Sequence, residues 1–288
     1  MTSEVRSKFL PASSTSVRET VFAPSSRSLW QMLTSRLIRS SGRLPDFLCL
    51  GSQKSGTSTL HELLSGHPDV YLPARKELQY FTLQSNRDTH WYSAHFRMAK
   101  SNQSCGEITP YYLFHPAAPQ RIHKLLPNVK LIVLLRDPVE RALSGYFHSV
   151  RHGFESLVIE DAFDHEIERL AGSAEILFHP GGRHESHQHH SYLSRSRYEL
   201  QIGEYYQFFD RSQMLLIRSE DFFQDTKSVW NRILDFLGLP SCPLPRNVPC
   251  ANHGAGELAS VDPGLRQRLR STLDATYRTL MSDHGIQW

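Results

Sequence analysis

The sequence has few of the features that mark secreted, membrane-spanning or nucleic-acid-binding proteins. Cysteine accounts for only four of the 288 residues, too few for a disulfide framework. Cys242 and Cys250 bracket a proline-rich loop and could pair, although a reducing cytoplasm would keep them as thiols. No apolar run reaches the roughly 18 residues of a membrane-spanning helix, and no secretory signal opens the chain. The net charge of +3 does not suggest nucleic-acid binding. We therefore expect neither a nucleic acid nor a membrane as partner, and oligomeric state stays open.

The beginning of the chain differs in composition from the rest, and we expect residues 1–45 to form an N-terminal extension. Its first part is rich in serine, threonine and arginine without hydrophobic periodicity, which is typical of disorder. Leucines at helical spacing predict a short amphipathic helix over Leu29–Ile38. The composition also fits an organelle transit peptide, although Glu4 and Glu19 interrupt the basic run. The domain proper is expected at residues 46–288.

Apolar strands alternate with helices in the body of the chain. Runs of aliphatic and β-branched residues predict buried strands at Phe47–Leu50, Val129–Leu135 and Met214–Phe222. Apolar residues at helical spacing predict helices between them, including Thr226–Pro240 and a last helix from Val261 towards Trp288. This alternation is typical of α/β domains. We predict a single P-loop-like α/β domain with a central parallel sheet flanked by helices.

A glycine turn after the first strand, "GSQKSGTST", is a candidate anion site. A Walker A loop has lysine directly after its second glycine, but Thr57 occupies that position here and the lysine comes earlier, as Lys54. A strand that ends in such a turn and opens a helix directs backbone N–H groups and the helix dipole at one place. The displaced lysine weakens the case for a kinase that uses ATP and Mg²⁺, which stays as an alternative. A plain turn with a solvated lysine is the other alternative.

A second candidate anion site lies in "LLRDPVERALSGYFHS". Arg136 follows a buried strand, at the end where open α/β sheets bind ligands, and Ser144 comes eight residues later. We predict a helix start with Asp137 as N-cap and Glu140 completing a capping box. Arg141 is either a third anion contact or a solvated helix residue, and the whole segment could be only a capped helix with an ion pair. Two anion sites at two strand ends indicate a nucleotide with phosphate at two positions.

The two motifs together resemble the nucleotide signatures of PAPS-dependent sulfotransferases (PAPS is 3′-phosphoadenosine-5′-phosphosulfate). The likeness is strongest to the heparan-sulfate N- and 3-O-sulfotransferase type, because "HPDV", "KELQYF", "GEITPYYLFHP" and a C-terminal "VDP" helix follow in order. It extends over residues 45–288.

The resemblance implies a PAPS co-substrate, a 3′-phosphoadenosine-5′-phosphate (PAP) product and no metal. It assigns the 5′-phosphosulfate to the loop residues Lys54, Ser55, Gly56, Thr57 and Ser58. It assigns the 3′-phosphate to Arg136 and Ser144. Since a cation can stabilise the charge that develops on a leaving group, Lys54 is also the candidate for that catalytic role.

The same resemblance places the general base at Glu77, the glutamate of the E-x-x-F/Y-F element. A base is needed because the acceptor must lose a proton. The alternative from the residues alone is an exposed loop carboxylate paired with Lys76 or Arg75. Gln79 and Glu107 fall at acceptor-side positions of the family, where Glu107 would orient either the substrate or the structure.

Some residues depart from the family pattern and bear on the acceptor. Ile108 occurs where 3-O-sulfotransferases have a lysine, and Gln79 matches the N-sulfotransferase branch. "CANHGAGE" (250–257) replaces a basic nucleotide loop, with Asn252 and His253 as candidate substitutes. Loss of acceptor-side lysine argues against a polyanionic sugar. We expect sulfonation of a hydroxyl or amine on a small soluble acceptor, in a bacterial-type cytoplasm.

The histidine-rich segment "RHESHQHH" invites a metal interpretation, since His184, His187 and His190 lie three residues apart. Glycines precede the segment and no apolar pattern accompanies it. We predict a mobile loop on the substrate side and no metal.

Overall fold

A computed structural model describes residues 42–245 and 258–288. Its strands are β1 (Phe47–Gly51), β2 (Val70–Tyr71), β3 (Ser104–Ile108), β4 (Lys130–Leu135) and β5 (Met214–Arg218). They form one sheet in the order β2-β3-β1-β4-β5, and each neighbouring pair is parallel. The predicted central parallel sheet is thus confirmed.

The central strands are apolar on both faces because helices cover both. Leu48 and Leu50 pack into the core on one side of β1, whereas Phe47 and Cys49 pack into the core on the other. Every residue of β1 is buried. A strand between two cores requires such continuous apolar sequence, which explains why β1 and β4 could be predicted from the sequence.

Helices connect the strands and continue the chain after β5. Those preceding β5 are α1 (Thr57–Ser65), α2 (Thr89–Ala94), α3 (Ala118–Leu125), α4 (Pro138–Arg151), α5 (Ile159–Asp164), α6 (Glu166–Leu170), α7 (Ser173–Phe178), α8 (Glu185–His189) and α9 (Tyr198–Tyr206). Those following it are α10 (Ser219–Gln224), α11 (Thr226–Leu237), α12 (Pro263–Thr272) and α13 (Asp274–His284). After β1 the chain continues to β2 and β3, which lie on one side of β1 within the sheet. After β4 it continues to β5, which lies on the other side. A crevice forms where the strand order reverses, between the carboxyl ends of β1 and β4.

Two predicted elements have different bounds in the structure. The strand expected over Met214–Phe222 ends at Arg218, and a short helix begins at Ser219. The single C-terminal helix is two helices, because the backbone of Leu273 interrupts the helical geometry. In each case the apolar pattern continues past the point where the backbone changes conformation. The pattern therefore did not reveal that point.

The start of α4 contains half of the predicted capping box. The Asp137 side chain accepts a hydrogen bond from the Glu140 backbone N–H at 2.9 Å, as an N-cap residue does. The Glu140 side chain does not return to the Asp137 N–H, which instead donates to Glu220 at 2.9 Å. Glu140 is paired with Arg266 and, at 3.9 Å, with Arg136. Partners distant in sequence outcompete the local one.

Several predictions concern residues outside the described ranges. They are most of the N-terminal extension, the loop with Asn252 and His253, and Cys250. Cys242 is a thiol in the structure, and its pairing with Cys250 stays a prediction. Among the described helices, none has the length and apolar character to cross a bilayer.

Candidate active site

The crevice between β1 and β4 opens into a cleft of about 720 Å³. Seven of the residues predicted from the sequence line it: Lys54, Gly56, Thr57, Ser58, Glu77, Arg136 and Ser144. The remaining three predicted residues, Ser55, Gln79 and Glu107, are not part of its lining. The structure therefore brings both candidate anion sites and the candidate base to one place.

The loop after β1 turns into α1 at a glycine that no other residue could replace without strain. Gly56 has φ +97°, and a Cβ there would lie 3.0 Å from the ring of Phe223. Thr57 then begins the helix at the lining of the cleft, and the first N–H groups of a helix have no acceptor within it. Ser55 is fully buried below this loop, with its Oγ 2.5 Å from that of Ser52. The Ser55 hydroxyl is thus engaged inside the loop, and binding of the 5′-phosphosulfate by Ser55 stays a prediction.

Lys54 occupies the loop in a strained backbone conformation, with φ +73°. Burial, together with the nearby charges of Arg151, Arg136 and Arg141, lowers the pKa of Lys54 to about 8. The Arg136 guanidinium also donates to the Lys54 carbonyl at 3.4 Å. Cations held together in this way attract an anion with several charges.

The second anion site lies along one side of α4. Arg136, Ser144 and His148 all line the cleft. Burial, followed by the charge of Lys54, lowers the pKa of His148 to about 4, so its imidazole is neutral near neutral pH. A neutral histidine can donate or accept a hydrogen bond but adds no charge.

Arg141 has neither of the two roles considered from the sequence. Its side chain is 1% exposed and does not line the cleft. Its Nε donates to Ser196 Oγ at 2.6 Å, and its guanidinium also donates to the Tyr192 carbonyl. Arg141 joins α4 to the segment before α9, and it contributes its charge to the cleft from below.

Glu77 lines the cleft from the loop between β2 and α2. Burial raises the pKa of the Glu77 carboxyl, against the lowering effect of Lys76, Arg195 and a hydrogen bond from Gln79. The Lys76 ammonium is 4.0 Å from the carboxylate. Lys76 and Arg195, rather than Lys54, are the cations that act on the Glu77 carboxyl. The ion pair with Lys76 and the position of Glu77 in the cleft, which were predicted as alternatives, therefore occur together.

Gln79 contacts the candidate base rather than the cleft. Its Oε1 accepts a hydrogen bond from the Thr82 hydroxyl at 2.6 Å, which turns its amide nitrogen towards Glu77. That nitrogen lies 3.5 Å from Glu77 Oε2. Substrate binding by Gln79 stays a prediction, and the geometry shows orientation of Glu77.

Glu107 is a buried carboxylate at the end of β3. It is 2% exposed and accepts hydrogen bonds from the hydroxyls of Tyr92, Tyr112 and Thr109. Burial raises its pKa, against these hydrogen bonds and one from the backbone of Leu78. Since the carboxylate is enclosed, direct substrate contact is not supported, and the structural alternative fits.

The histidine-rich segment forms the short helix α8 rather than a loop. His187 is buried, stacks on Phe114 with ring centroids 4.2 Å apart, and bonds to the Tyr111 hydroxyl at 2.7 Å. Burial, followed by the charge of Arg195, lowers the pKa of His187 to about 2. In the parts of the chain that the structure describes, no group of three or more candidate metal ligands occurs.

Two basic residues near Glu77 were not recognised as site residues from the sequence. Lys76 donates to the Ser58 hydroxyl at 2.8 Å and so connects the base loop with the first anion loop. Arg195 is buried, donates to Gln53 at 2.8 Å and acts on Glu77 through its charge. The position of Lys76 next to a candidate base was an available signal. Arg195 is too distant in sequence to have given one.

Most of the described chain matches a known protein family. Residues 44–248 match the sulfotransferase domain family. The chain belongs to this family. It is 30% identical over 202 residues to mouse heparan sulfate glucosamine 3-O-sulfotransferase 6, over 68% of this chain and 53% of that protein. It is 39% identical over 133 residues to the membrane-associated sulfotransferase kil1 of Dictyostelium discoideum, over 41% of this chain and 28% of that protein. The predicted likeness to the heparan-sulfate type is thus confirmed.

The chain spans only part of these curated relatives, and 23% of the bifunctional heparan sulfate N-deacetylase/N-sulfotransferase 1 of Caenorhabditis elegans, to which it is 27% identical. Because one relative is named as membrane-associated, the cytoplasmic location stays a prediction. Among solved structures, a sulfotransferase from Alicyclobacillus acidocaldarius is 27% identical with a TM-score of 0.68, over 83% of this chain and 95% of that one. Mouse sulfotransferase SULT7A1 complexed with PAP shares the fold at 15% identity, with a TM-score of 0.51 over 91% of each chain.

Proposed function

We propose that this sulfotransferase-family chain transfers a sulfonate group from PAPS to a hydroxyl or amine of a small soluble acceptor. One observation carries the proposal: Lys54 and Glu77 line the same cleft, with the second anion site of Arg136 and Ser144 beside them. A cation for the leaving group and a base for the acceptor are the two groups that sulfonate transfer requires.

The residues of the cleft fit a nucleotide with phosphate at two positions. Lys54, the Thr57 and Ser58 hydroxyls and the N–H groups that open α1 form one group of donors. Arg136 and Ser144 form the other. Carboxylates also line the cleft, but Glu140 is paired with Arg266 and more distantly, at 3.9 Å, with Arg136, and Glu220 accepts hydrogen bonds from Asp137 and Trp288. The cleft thus retains donors for anions after its acidic residues are accounted for.

PAPS supplies an activated sulfonate whose transfer breaks the bond between sulfur and the bridging oxygen. Lys54, as an ammonium, would neutralise the charge that remains on that oxygen. Glu77 would remove the proton from the acceptor as its oxygen or nitrogen bonds to sulfur. The raised pKa of Glu77 suits a base, because a more basic carboxylate holds the proton better.

One position on the acceptor side of the family pattern supports the proposal of a small acceptor. Ile108, where the related 3-O-sulfotransferases have lysine, is 2% exposed and packs into the core, so it presents no charge to a polyanion. The relatives named for heparan sulfate leave a polysaccharide as the competing acceptor. Labelled PAPS incubated separately with 4-nitrophenol, glucosamine and an N-desulfated heparin oligosaccharide distinguishes the two. We expect label on a small compound, and label on the oligosaccharide alone would exclude the small-acceptor proposal.

The alternative of a small-molecule kinase predicts a different ligand. We expect PAP or PAPS to raise the melting temperature of the purified protein, with little effect of ATP and Mg²⁺. A ligand at about 100 times its Kd adds about 2.7 kcal/mol to the free energy of unfolding, which is readily measured. Greater stabilisation by ATP with Mg²⁺ would contradict the assignment of PAPS.

A further inference from the structure

The loop that carries the candidate base has a backbone conformation that its sequence disfavours. Glu77 and Gln79 have φ of +59° and +60°, although neither is glycine. Side chains rarely adopt this region, and it persists only where surrounding contacts impose it. Contacts that hold the residues between and after them therefore determine where the Glu77 carboxylate lies.

Those contacts converge on the buried Glu107 carboxylate. The backbone N–H of Leu78, between the two strained residues, donates to it. A backbone N–H can only donate, so Glu107 acts as an acceptor for this bond. The Tyr112 hydroxyl donates to Glu107 at 2.7 Å and accepts from the Tyr80 backbone N–H at 2.8 Å. Hydrogen bonds that lead to the Glu107 carboxylate thus hold the backbone N–H groups of the residues on both sides of Gln79.

Two further hydroxyls fix Glu107 itself. Thr109 donates to its Oε1 at 2.6 Å, and the Tyr92 hydroxyl donates to its Oε2. A glutamine in its place would present an N–H₂ group to donors and leave at least one of them without an acceptor.

We infer that Glu107 is a positioning residue for sulfonate transfer, which holds Glu77 in place through Leu78 and through Tyr112 without touching substrate. This inference rests on the proposed role of Glu77 as general base. It differs from the expected substrate contact of Glu107, because the carboxylate acts on the loop backbone from below the cleft.

The variants Glu107→Gln and Tyr112→Phe test the inference by two independent changes to the network. Turnover is followed as PAP released from PAPS in a fixed mixture of 4-nitrophenol, glucosamine and N-desulfated heparin oligosaccharide. Since small misplacement of a catalytic group can cost up to about 100-fold, we expect kcat to fall roughly 10- to 100-fold in each. The KM for PAPS and the Kd for PAP should stay at wild-type values, because the nucleotide loops are untouched.

Tyr205→Phe is the matched control. It also removes a buried tyrosine hydroxyl, which donates to the Tyr112 carbonyl at 2.9 Å rather than to the base loop. We expect it to lower the melting temperature as Tyr112→Phe does and to leave kcat unchanged. An equal loss of kcat in both tyrosine variants would show a general effect of core damage and overturn the inference.

A double variant separates this inference from the proposed function. In a Glu77→Gln background, Glu107→Gln should cost no further activity, because the group that it positions is already absent. Losses that multiply would overturn the positioning role. If Glu77→Gln is inactive but Glu107→Gln and Tyr112→Phe keep wild-type kcat, only the positioning role fails. If Glu77→Gln itself keeps wild-type kcat, the proposed base is wrong and the inference fails with it.

Discussion

At the scale of single residues, Lys54 shows how charge in the cleft is prepared for an anion. Burial, followed by the charges of three arginines, lowers its pKa from the ordinary value of 10.5 to about 8. Without an anion, repulsion between the lysine and the arginines favours the neutral form of Lys54. A bound phosphate group would reverse this by favouring the ammonium form. Binding of nucleotide and binding of a proton are therefore coupled at this residue.

This coupling gives a pH dependence with a defined sign. The pKa of Lys54 in the free protein is about 8, and a bound dianion raises it, so PAP binding takes up a proton between these two pKa values. We expect the affinity for PAP to fall as pH rises above about 8 and proton uptake to accompany binding there. Isothermal titration calorimetry in buffers of different ionisation enthalpy measures this uptake. Lys54→Met should abolish it, and uptake that persists in this variant would assign the proton to another group.

Arg136 and Ser144 give a second prediction at the residue scale. If they bind the 3′-phosphate, Arg136→Ala and Ser144→Ala should weaken PAPS binding but hardly affect adenosine-5′-phosphosulfate, which lacks that group. Hydrogen bonds to charged groups contribute about 1.5–3 kcal/mol each, so the loss is readily measured by titration. Equal losses for the two nucleotides would place the 3′-phosphate elsewhere.

At the scale of elements, the structure of the loop before α1 depends on one glycine. Gly56 has a left-handed conformation, and its missing side chain leaves room for the Phe223 ring. Both features belong to the turn that opens α1 at the lining of the cleft. A change here should alter both stability and nucleotide binding.

We expect Gly56→Ala to lower the free energy of unfolding by about 1–2 kcal/mol, since an L-residue is disfavoured in this conformation. It should also weaken PAP binding, because the loop must move away from Phe223. Gly203 in α9 is the matched control, since nothing lies within 4 Å of an added Cβ there. Gly203→Ala should stabilise the protein by about 0.5–1 kcal/mol and leave binding unchanged. Chemical denaturation and titration with PAP measure both, and unchanged PAP affinity in Gly56→Ala would refute the role of the loop.

Elements were predictable where one local pattern decided them. The continuous apolar runs of β1 and β4 and the N-cap at Asp137 are such cases. Glu140 shows the limit, because its partner Arg266 is 126 residues away in sequence. The same applies to Arg141, whose burial depends on the segment before α9, and to the strained backbone of Glu77. Through-space partners decide these features, and no spacing along the chain reveals them.

At the scale of the whole molecule, the order of the strands brings the site together. The lysine loop follows β1 and the arginine helix follows β4, which is its neighbour in the sheet. The base loop between β2 and α2 reaches the same cleft. The sequence indicated these three segments by their resemblance to a family, and the parallel sheet explains physically why they meet. The identity of the acceptor was not predictable from these three segments.

The central claim, that the cleft joins a nucleotide site to a general base, is tested most directly by Glu77→Gln. The change preserves the size of the side chain but removes its ability to take a proton. We predict that the Kd for PAP stays at the wild-type value while kcat for transfer to the acceptor mixture falls at least about 100-fold, since positioned bases contribute about 10²–10⁴-fold. A Glu77→Gln protein that binds PAP normally and keeps more than about a tenth of wild-type kcat, far above that range, would contradict the account.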